Sequence, residues 1–340
     1  MAGNRRIVLA ERPRYTFPTT NCFKLGSSEI PEPAEGQVLI RTQWLGIEPY
    51  LLGKVKRASG QAPVQLGDAM EGPAVGVVEA SRNPELQVGD RVTGLWAWQE
   101  RALSDSNHVR KLPAELKQAS HALGALGYSG FGAYLALTHL GDAQPGQTVV
   151  TGAASGGMGQ MVGQIARIKG VRAVGVAGSA EKCRLATENF GYEMCLDRHL
   201  RSALPAELKK ACPQGIDVYI ETVGGRVYDA ALPLLRLRAR MVVAGLMTMY
   251  TANSLPDGPD RTMVLLNEIN LKRLQVLGLV VFDHMKARYS DFKRDMLGWL
   301  DSGEVKPLEH VFEGLENAPA ALQAMFEGKN LGKTVVKVAD

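Results

Sequence analysis

At 340 residues, 45% hydrophobic and 22% charged, the chain is long enough for two cores and has the composition of an ordinary soluble globular protein. A net charge of +4, with cations and acids interspersed, excludes a charge-built nucleic-acid surface, and no apolar run is long enough to span a bilayer. The opening MAGNRRIVLAERPR holds only a four-residue apolar stretch, too short for a signal peptide, and Cys22, Cys183, Cys195 and Cys212 show no CxxC spacing, so reduced thiols and a cytoplasmic location are expected.

Residues 5–123 are poor in helical pattern. Short β-rich runs at 37–44, 74–80 and 91–98 alternate with the turns PEPAEG, NPELQVGD and KLPAEL, which is the texture of a compact antiparallel barrel. From about Leu123 the texture changes. The stretch 147–182 reads as strand, glycine-rich turn, helix and second strand. Residues 148–151 are β-branched, as a buried parallel strand requires. Ala153, Gly156 and Gly159 follow at three-residue spacing, and Met161, Val162, Ile165, Ala166 and Ile168 continue at helical period. Small residues there let a pyrophosphate approach the backbone, and the helix start offers N–H groups and a positive dipole end. With a second strand at 173–177, the pattern forms one βαβ dinucleotide unit.

The end of that second strand discriminates between dinucleotides. NAD sites place an acidic residue about 20 residues after the glycines to accept from the ribose hydroxyls. This chain has Gly178 and Ser179 there, with Lys182 and Arg184 beyond, and Glu181 is expected to point outward from the next helix. NADP is favoured, the alternative being that Lys182 and Arg184 form a solvated helix face. Further elements are expected as helix 181–190, strand 194–196, helix 202–211, strand 216–221, helix 227–235, strand 240–246 and strand 274–282. A helix from Tyr289 onward, a helix at 318–326, a turn at 329–332 and a strand at 334–338 close the chain. Alternating strands and helices predict a doubly wound parallel sheet, with the final strand returning to the first domain. Residues 223–225 and 245–250 fall just past strand ends, where open α/β sheets bind ligands.

Eight strings, QWLGIEPY, GYSGFGAY, GGMGQMVGQIARIKG, VGVAGSAEKC, ETVGG, LPDGPDR, GLENAPAAL and GKNLGKTVV, are similar in order and spacing to one family. The chain resembles the zinc-independent, NADP-dependent double-bond reductases of the medium-chain dehydrogenase/reductase superfamily, which include prostaglandin reductases and plant alkenal reductases. EKCRLATENFGYEMCLD and DAALPLL are most similar to the bacterial curcumin-reductase branch. Zinc alcohol dehydrogenases carry a Gly-His-Glu string and four closely spaced cysteines. This chain has Asp68-Ala69-Met70-Glu71-Gly72 in the former place, and its six histidines form no ligand-spaced group. The resemblance implies a GroES-like β-barrel catalytic domain (1–123), a Rossmann domain binding NADP (124–304), and a return to the catalytic domain (305–340).

It also implies roles. Gly156, Gly157, Met158 and Gly159 are expected under the pyrophosphate, with Ser179 and Lys182 at the 2′-phosphate. Arg198 stands where the family has a tyrosine, and either pairs with that phosphate bidentately or faces water. Thr222, Ala244, Gly245 and the segment Leu279, Val280, Val281 are expected at the nicotinamide, and Asn330 is expected to reach the cofactor from the tail. Tyr250 matches a tyrosine beside the substrate carbonyl, where its phenol donates to a developing enolate; the alternative is an aromatic packed at a strand end. Tyr50 and Tyr128 are expected at the substrate. Thr222, Leu52 and Tyr128 depart from the family pattern. The implied activity is NADPH-dependent reduction of α,β-unsaturated ketones or aldehydes without a metal. Quinone reduction, or an NADPH-binding sensor without turnover, are the alternatives. An apolar strand at 274–282 with no successor in the sheet predicts a homodimer.

Overall fold

Two units divide the chain in the computed structural model, which describes residues 3–14, 17–56, 62–252 and 261–339. One combines Met1–Gly124 with Glu309–Asp340, and the other is Ala125–Leu308. In the first, β1 (Asn4–Leu9) and β2 (Phe23–Ser28) form an antiparallel hairpin. Then come β3 (Gln37–Gly46), α1 (Leu51–Lys56), β4 (Glu71–Ser81), β5 (Arg91–Ala97), β6 (Arg101–Asp105) and β7 (Val109–Lys111). Helix α1 corrects the expectation of almost no helix here: Leu51, Leu52 and Val55 lie on one stripe and are all buried. The hairpin was not foreseen, because arginines at 5 and 6 interrupt the apolar alternation.

The second unit begins with α2 (Tyr128–Leu135) and continues β8 (Thr148–Thr151), α3 (Gly157–Ile168), β9 (Arg172–Ala177), α4 (Ala180–Asn189), β10 (Met194–Asp197), α5 (Leu204–Ala211) and β11 (Ile216–Glu221). It ends with α6 (Arg226–Ala231), β12 (Leu235–Val243), α7 (Met247–Tyr250), α8 (Thr262–Lys272), β13 (Gln275–Gly278) and α9 (Met285–Ser302). Its six strands are all parallel in the order β10-β9-β8-β11-β12-β13, the doubly wound sheet expected. Strand β8 is buried along its whole length, which is why it reads as a continuous β-branched run.

Three expectations in this unit are corrected. The helix expected to reach residue 235 stops at Ala231, and Leu235 already opens β12. That strand ends at Val243, three residues short of expectation, because the N–H groups of Ala244 and Gly245 turn to the Glu221 carbonyl at 2.9 and 3.1 Å. The strand expected over 274–282 has only four residues; Leu279 N still bonds Val243 O at 2.9 Å before the chain turns into a single helical turn at Val281–His284. Helix α8 was not foreseen, and residues 255–260 of the LPDGPDR string lie outside the described residues.

The chain returns to the first unit at β14 (Glu309–Glu313), followed by α10 (Ala318–Phe326) and β15 (Lys333–Lys337). Crossover through α10 makes β14 and β15 parallel, so the seven-stranded sheet, ordered β14-β15-β3-β4-β5-β7 with β6 beside β3, is mixed rather than purely antiparallel. Strand β3 carries β4 along one side and, on the other, β6 at its start and β15 at its end, which curls the sheet over a core including Ile40, Leu45, Trp98 and Leu322. The segment before β14 stays with the second unit, because buried Gln160 and Gln164 of α3 hold it as a strand would. Gln160 bonds Leu308 N and O at 2.8 and 2.9 Å, and Gln164 accepts from Lys306 N at 2.7 Å.

Lys333 enters β15 almost fully buried, forms an ion pair with Glu48 Oε1 at 2.6 Å and donates to the Ile47 carbonyl at 2.6 Å. Removing one partner of such a pair strands a buried charge, which costs about 3–5 kcal/mol. Lys333→Met is therefore expected to lower the unfolding midpoint by a loss of that size in chemical denaturation. A variant as stable as the parent would show that the pair does not anchor the return strand.

Candidate active site

The switch point of the parallel sheet lies between β8 and β11, and the glycine turn follows β8 there. Ala153 holds φ 48°, which turns its carbonyl inward to accept from Gly156 N at 2.8 Å. A Cβ at Gly159 would overlap that carbonyl oxygen and lie 2.8 Å from the Ala154 backbone, so only glycine fits. Gly156 caps α3 without a side chain, leaving the first N–H groups of Gly157, Met158 and Gly159 to be met by an anion. Met158 Sδ and Val281 Cγ1 both lie beside Gly132, where a Cβ would stand 3.7 and 3.5 Å from them.

Beyond β9, Ser179 caps α4, its Oγ accepting from Lys182 N at 3.2 Å. The Arg198 guanidinium lies over Gly178, with Nε and Cζ 3.5 and 3.7 Å from where a Cβ would stand. Burial first, and then the nearby Arg198 charge, push the Lys182 ammonium below its ordinary value, while Glu181 opposes both. Glu181 is exposed on the helix as expected. Arg184 is not the second cation: its side chain is 70% exposed with Nε 4.0 Å from Glu188 on the next helical turn. Two like charges held together, one of them half-buried, fit an added phosphoryl group and do not fit two ribose hydroxyls.

Across the switch point from the glycine turn, Glu221 closes β11. Its Oε1 accepts from Val223 N and Gly224 N, both at 2.7 Å, and its Oε2 accepts from the Tyr219 hydroxyl at 2.8 Å. Burial raises this carboxyl, and the two N–H groups and the phenol counter it. The motif ETVGG contained this clamp, but its role is visible only once Glu221 is seen to be 2% exposed. Thr222 donates to the Gly152 carbonyl at 3.2 Å, tying this loop to the end of β8. Gly245 brings the cluster together: a Cβ there would lie 3.5 Å from the Tyr250 hydroxyl and 3.6 Å from Thr222 O. Tyr250, at the end of α7, is 43% exposed. Ala244 and Gly245 follow β12, and Leu279 and Val280 follow β13, so these candidates share the C-terminal edge of the sheet.

Tyr128 opens α2 and meets Phe282 edge to face at 5.0 Å. In the first unit, Tyr50 is half-buried against the core just before α1, and Asn330 donates to Gly332 O at 3.0 Å within its own turn. Among the described residues, no three His, Cys, Asp or Glu side chains group so as to hold a metal ion.

A family model described as the N-terminal domain of oxidoreductase matches residues 5–112, and one described as zinc-binding dehydrogenase matches residues 157–302. The NADPH-dependent curcumin reductase of Escherichia coli (strain K12) is 42% identical over 337 residues, 99% of this chain and 97% of that protein. The chain belongs to the NADP-dependent double-bond reductases of the medium-chain dehydrogenase/reductase superfamily. Another member, the 2-alkenal reductase (NADP(+)-dependent) of Nicotiana tabacum, is 32% identical over 317 residues, 92% of this chain and 90% of its own. The crystal structure of CurA in complex with NADPH from Vibrio vulnificus is 42% identical, covers 99% of both chains and matches with a TM-score of 0.94. The two-domain architecture of this superfamily, a mixed-sheet domain with a parallel Rossmann sheet, is the one this chain adopts.

Proposed function

We propose that this protein reduces the carbon–carbon double bond of α,β-unsaturated ketones and aldehydes with NADPH. One observation carries the reading: the Lys182–Arg198 cations, past β9 and β10, and the Tyr250 hydroxyl, past β12, lie along one sheet edge with the glycine turn between them. At roughly 4.8 Å per strand, three to four strand intervals give on the order of 15–20 Å, room for an extended dinucleotide. Relatives named for curcumin and for 2-alkenals support the substrate class.

In this reading Gly156, Gly157, Met158 and Gly159 hold the pyrophosphate on backbone N–H groups, and Ser179, Lys182 and Arg198 hold the 2′-phosphate. Thr222, Ala244, Gly245, Leu279, Val280 and Val281 border the nicotinamide, and Tyr128 borders the substrate. When bound, NADPH supplies a hydride. Tyr250 donates its hydroxyl proton toward the carbonyl oxygen on which charge develops, stabilising the enolate. Tyr50 and Asn330 keep the roles that the family resemblance implies. NADPH oxidation is expected to accelerate with enones and enals and not with saturated ketones. Turnover confined to benzoquinones, or absent with all three classes while NADPH binds, would refute the proposal.

The protein is further proposed to be a cytoplasmic homodimer. Strand β13 ends the sheet with Val276 41% exposed, and α8 shows Met263, Val264, Leu266 and Leu271 at 50–71% exposure. An apolar, unpaired edge of this kind invites pairing with a second copy. Light scattering is expected to give twice 36.7 kDa, falling to the single mass in Val276→Lys; a monomeric parent would refute the dimer. Four free cysteines suit a reducing compartment, and recovery in a secreted or membrane fraction would contradict the location. Among the described residues, no helix is long and apolar enough to cross a membrane.

A further inference from the structure

Helix α4 and strand β10 bring two thiols together beside the cation pair. Cys183 follows Lys182 on the first turns of α4, and Cys195 sits in register with Gly175 of β9. The two side chains are hydrogen-bonded to each other, and Cys183 also takes the backbone N–H of Ala177. Gly175 makes room for the Cys195 sulfur, since a Cβ there would stand 3.2 Å from Cys195 Sγ. Both thiols are partly exposed, whereas Cys22 and Cys212 are buried.

We propose that Cys183 and Cys195 form a dithiol that a hydroperoxide converts to an intramolecular disulfide, and that this cross-link weakens the hold of Lys182 and Arg198 on the 2′-phosphate of NADPH. The reactivity is divided between the sulfurs. The hydrogen bond between them is the foremost cause lowering Cys183 and the foremost raising Cys195, which makes Cys183 the sulfur that gives up its proton more readily. Burial pushes Cys212 up to about 11, which keeps it protonated and inert.

The Cys183 thiolate attacks one oxygen of hydrogen peroxide. The O–O bond breaks, a sulfenic acid forms and water leaves after taking up a proton. Cys195 sulfur then attacks the Cys183 sulfur; the S–O bond breaks, the S–S bond forms, and a second water carries off the hydroxyl and the thiol proton. Two thiols have lost two electrons and two protons, and the peroxide has gained them. An S–S bond of about 2.05 Å is much shorter than a thiol–thiol hydrogen bond. Closing it draws the start of α4 toward β10. Lys182 adjoins one sulfur, and Arg198 is three residues beyond the other, so both cations move. The effect on NADPH rests on the cofactor reading above, whereas the disulfide does not.

The full chain is treated with hydrogen peroxide without cofactor and examined by intact mass and peptide mapping. NADPH and NADH affinities are then measured by fluorescence before and after. The expected result is a loss of two hydrogens reversed by reductant, a Cys183–Cys195 cross-linked peptide, and an NADPH Kd raised about tenfold with NADH unchanged. Cys195→Ser is expected to stop at a sulfenic acid on Cys183 that dimedone traps. No cross-link, or oxidation at Cys22 or Cys212 instead, overturns the dithiol. A cross-link with unchanged NADPH affinity overturns the coupling. Reduced protein that binds NADPH and NADH alike overturns the cofactor reading alone, because the mass result stands without it.

Discussion

Replacing Lys182 by alanine is expected to raise the Michaelis constant for NADPH roughly tenfold to a hundredfold and to leave that for NADH nearly unchanged. The magnitude follows from losing one charge-assisted hydrogen bond to a phosphate, about 1.5–3 kcal/mol. Arg198→Ala is expected to act in the same direction. Because both cations serve one phosphate, the double variant should fall short of the sum of the singles. The pH dependence follows from the same pair. Without cofactor, burial and Arg198 hold Lys182 below its ordinary value, and a bound phosphate favours its charged form. The phosphate contribution is therefore fully present below the free pKa and is lost as pH rises through the bound one, so NADPH affinity should fall at alkaline pH earlier than an ordinary lysine would dictate. Steady-state kinetics with both dinucleotides across pH measure all three effects. A Lys182→Ala variant that harms NADPH and NADH equally would mean that the 2′-phosphate lies elsewhere.

The cation pair also shows where linear reading stops. Lys182 was legible because it stands just past a strand that ends without a carboxylate. Its spatial partner was ambiguous in sequence: Arg184 is close along the chain yet points away on the helix, while Arg198, sixteen residues on from Lys182, returns at the end of the neighbouring strand. Proximity in a parallel sheet is set by strand order, which periodicity does not report. Cys183 and Cys195 are brought together by the same return, and their spacing resembles no pairing motif.

Elements buried on both faces were the most legible. Thr148–Thr151 and Ile216–Glu221 match their expected bounds, because nearly every position in both is buried and β-branched or aromatic residues recur along them. Leu235–Val243 was obscured for a physical reason: Arg238 adopts φ 63°, the register with β11 shifts between Ile216 and Val218, and the alternation of leucine and arginine is broken there. Helix α8 was illegible because Met263, Val264, Leu266 and Leu271 are exposed within this chain and only Leu265 and Ile269 pack half-buried on the core, so the apolar residues run all round it and mark no single stripe. Gln160 and Gln164 present the reverse case. Polar residues in an apolar helix read as an outer face, yet both are 1% exposed and clamp the backbone of residues 306–308. At the candidate site, the glycines and Tyr250 could be read from motif and position, whereas the Glu221 clamp required the fold.

Tyr250→Phe is the sharper test of chemistry, because it removes one hydroxyl and keeps the ring. Tyr250 is 43% exposed, so the variant leaves no buried polar group stranded, and stability and NADPH affinity are expected to hold. Losing one donor to a developing oxyanion typically lowers kcat about 10²- to 10³-fold, and a fall of that order is expected with an enone substrate. The Michaelis constant for the enone should change much less, since the hydrogen bond strengthens only as charge reaches the carbonyl oxygen. Tyr250 stands beside Gly245 at the end of α7, and the Glu221 clamp holds the separate Val223–Gly224 loop, so the substitution disturbs neither the clamp nor the backbone around it. Turnover as fast as the parent's would reduce Tyr250 to an aromatic at a strand end and return the search for the proton donor to the other residues along the same edge.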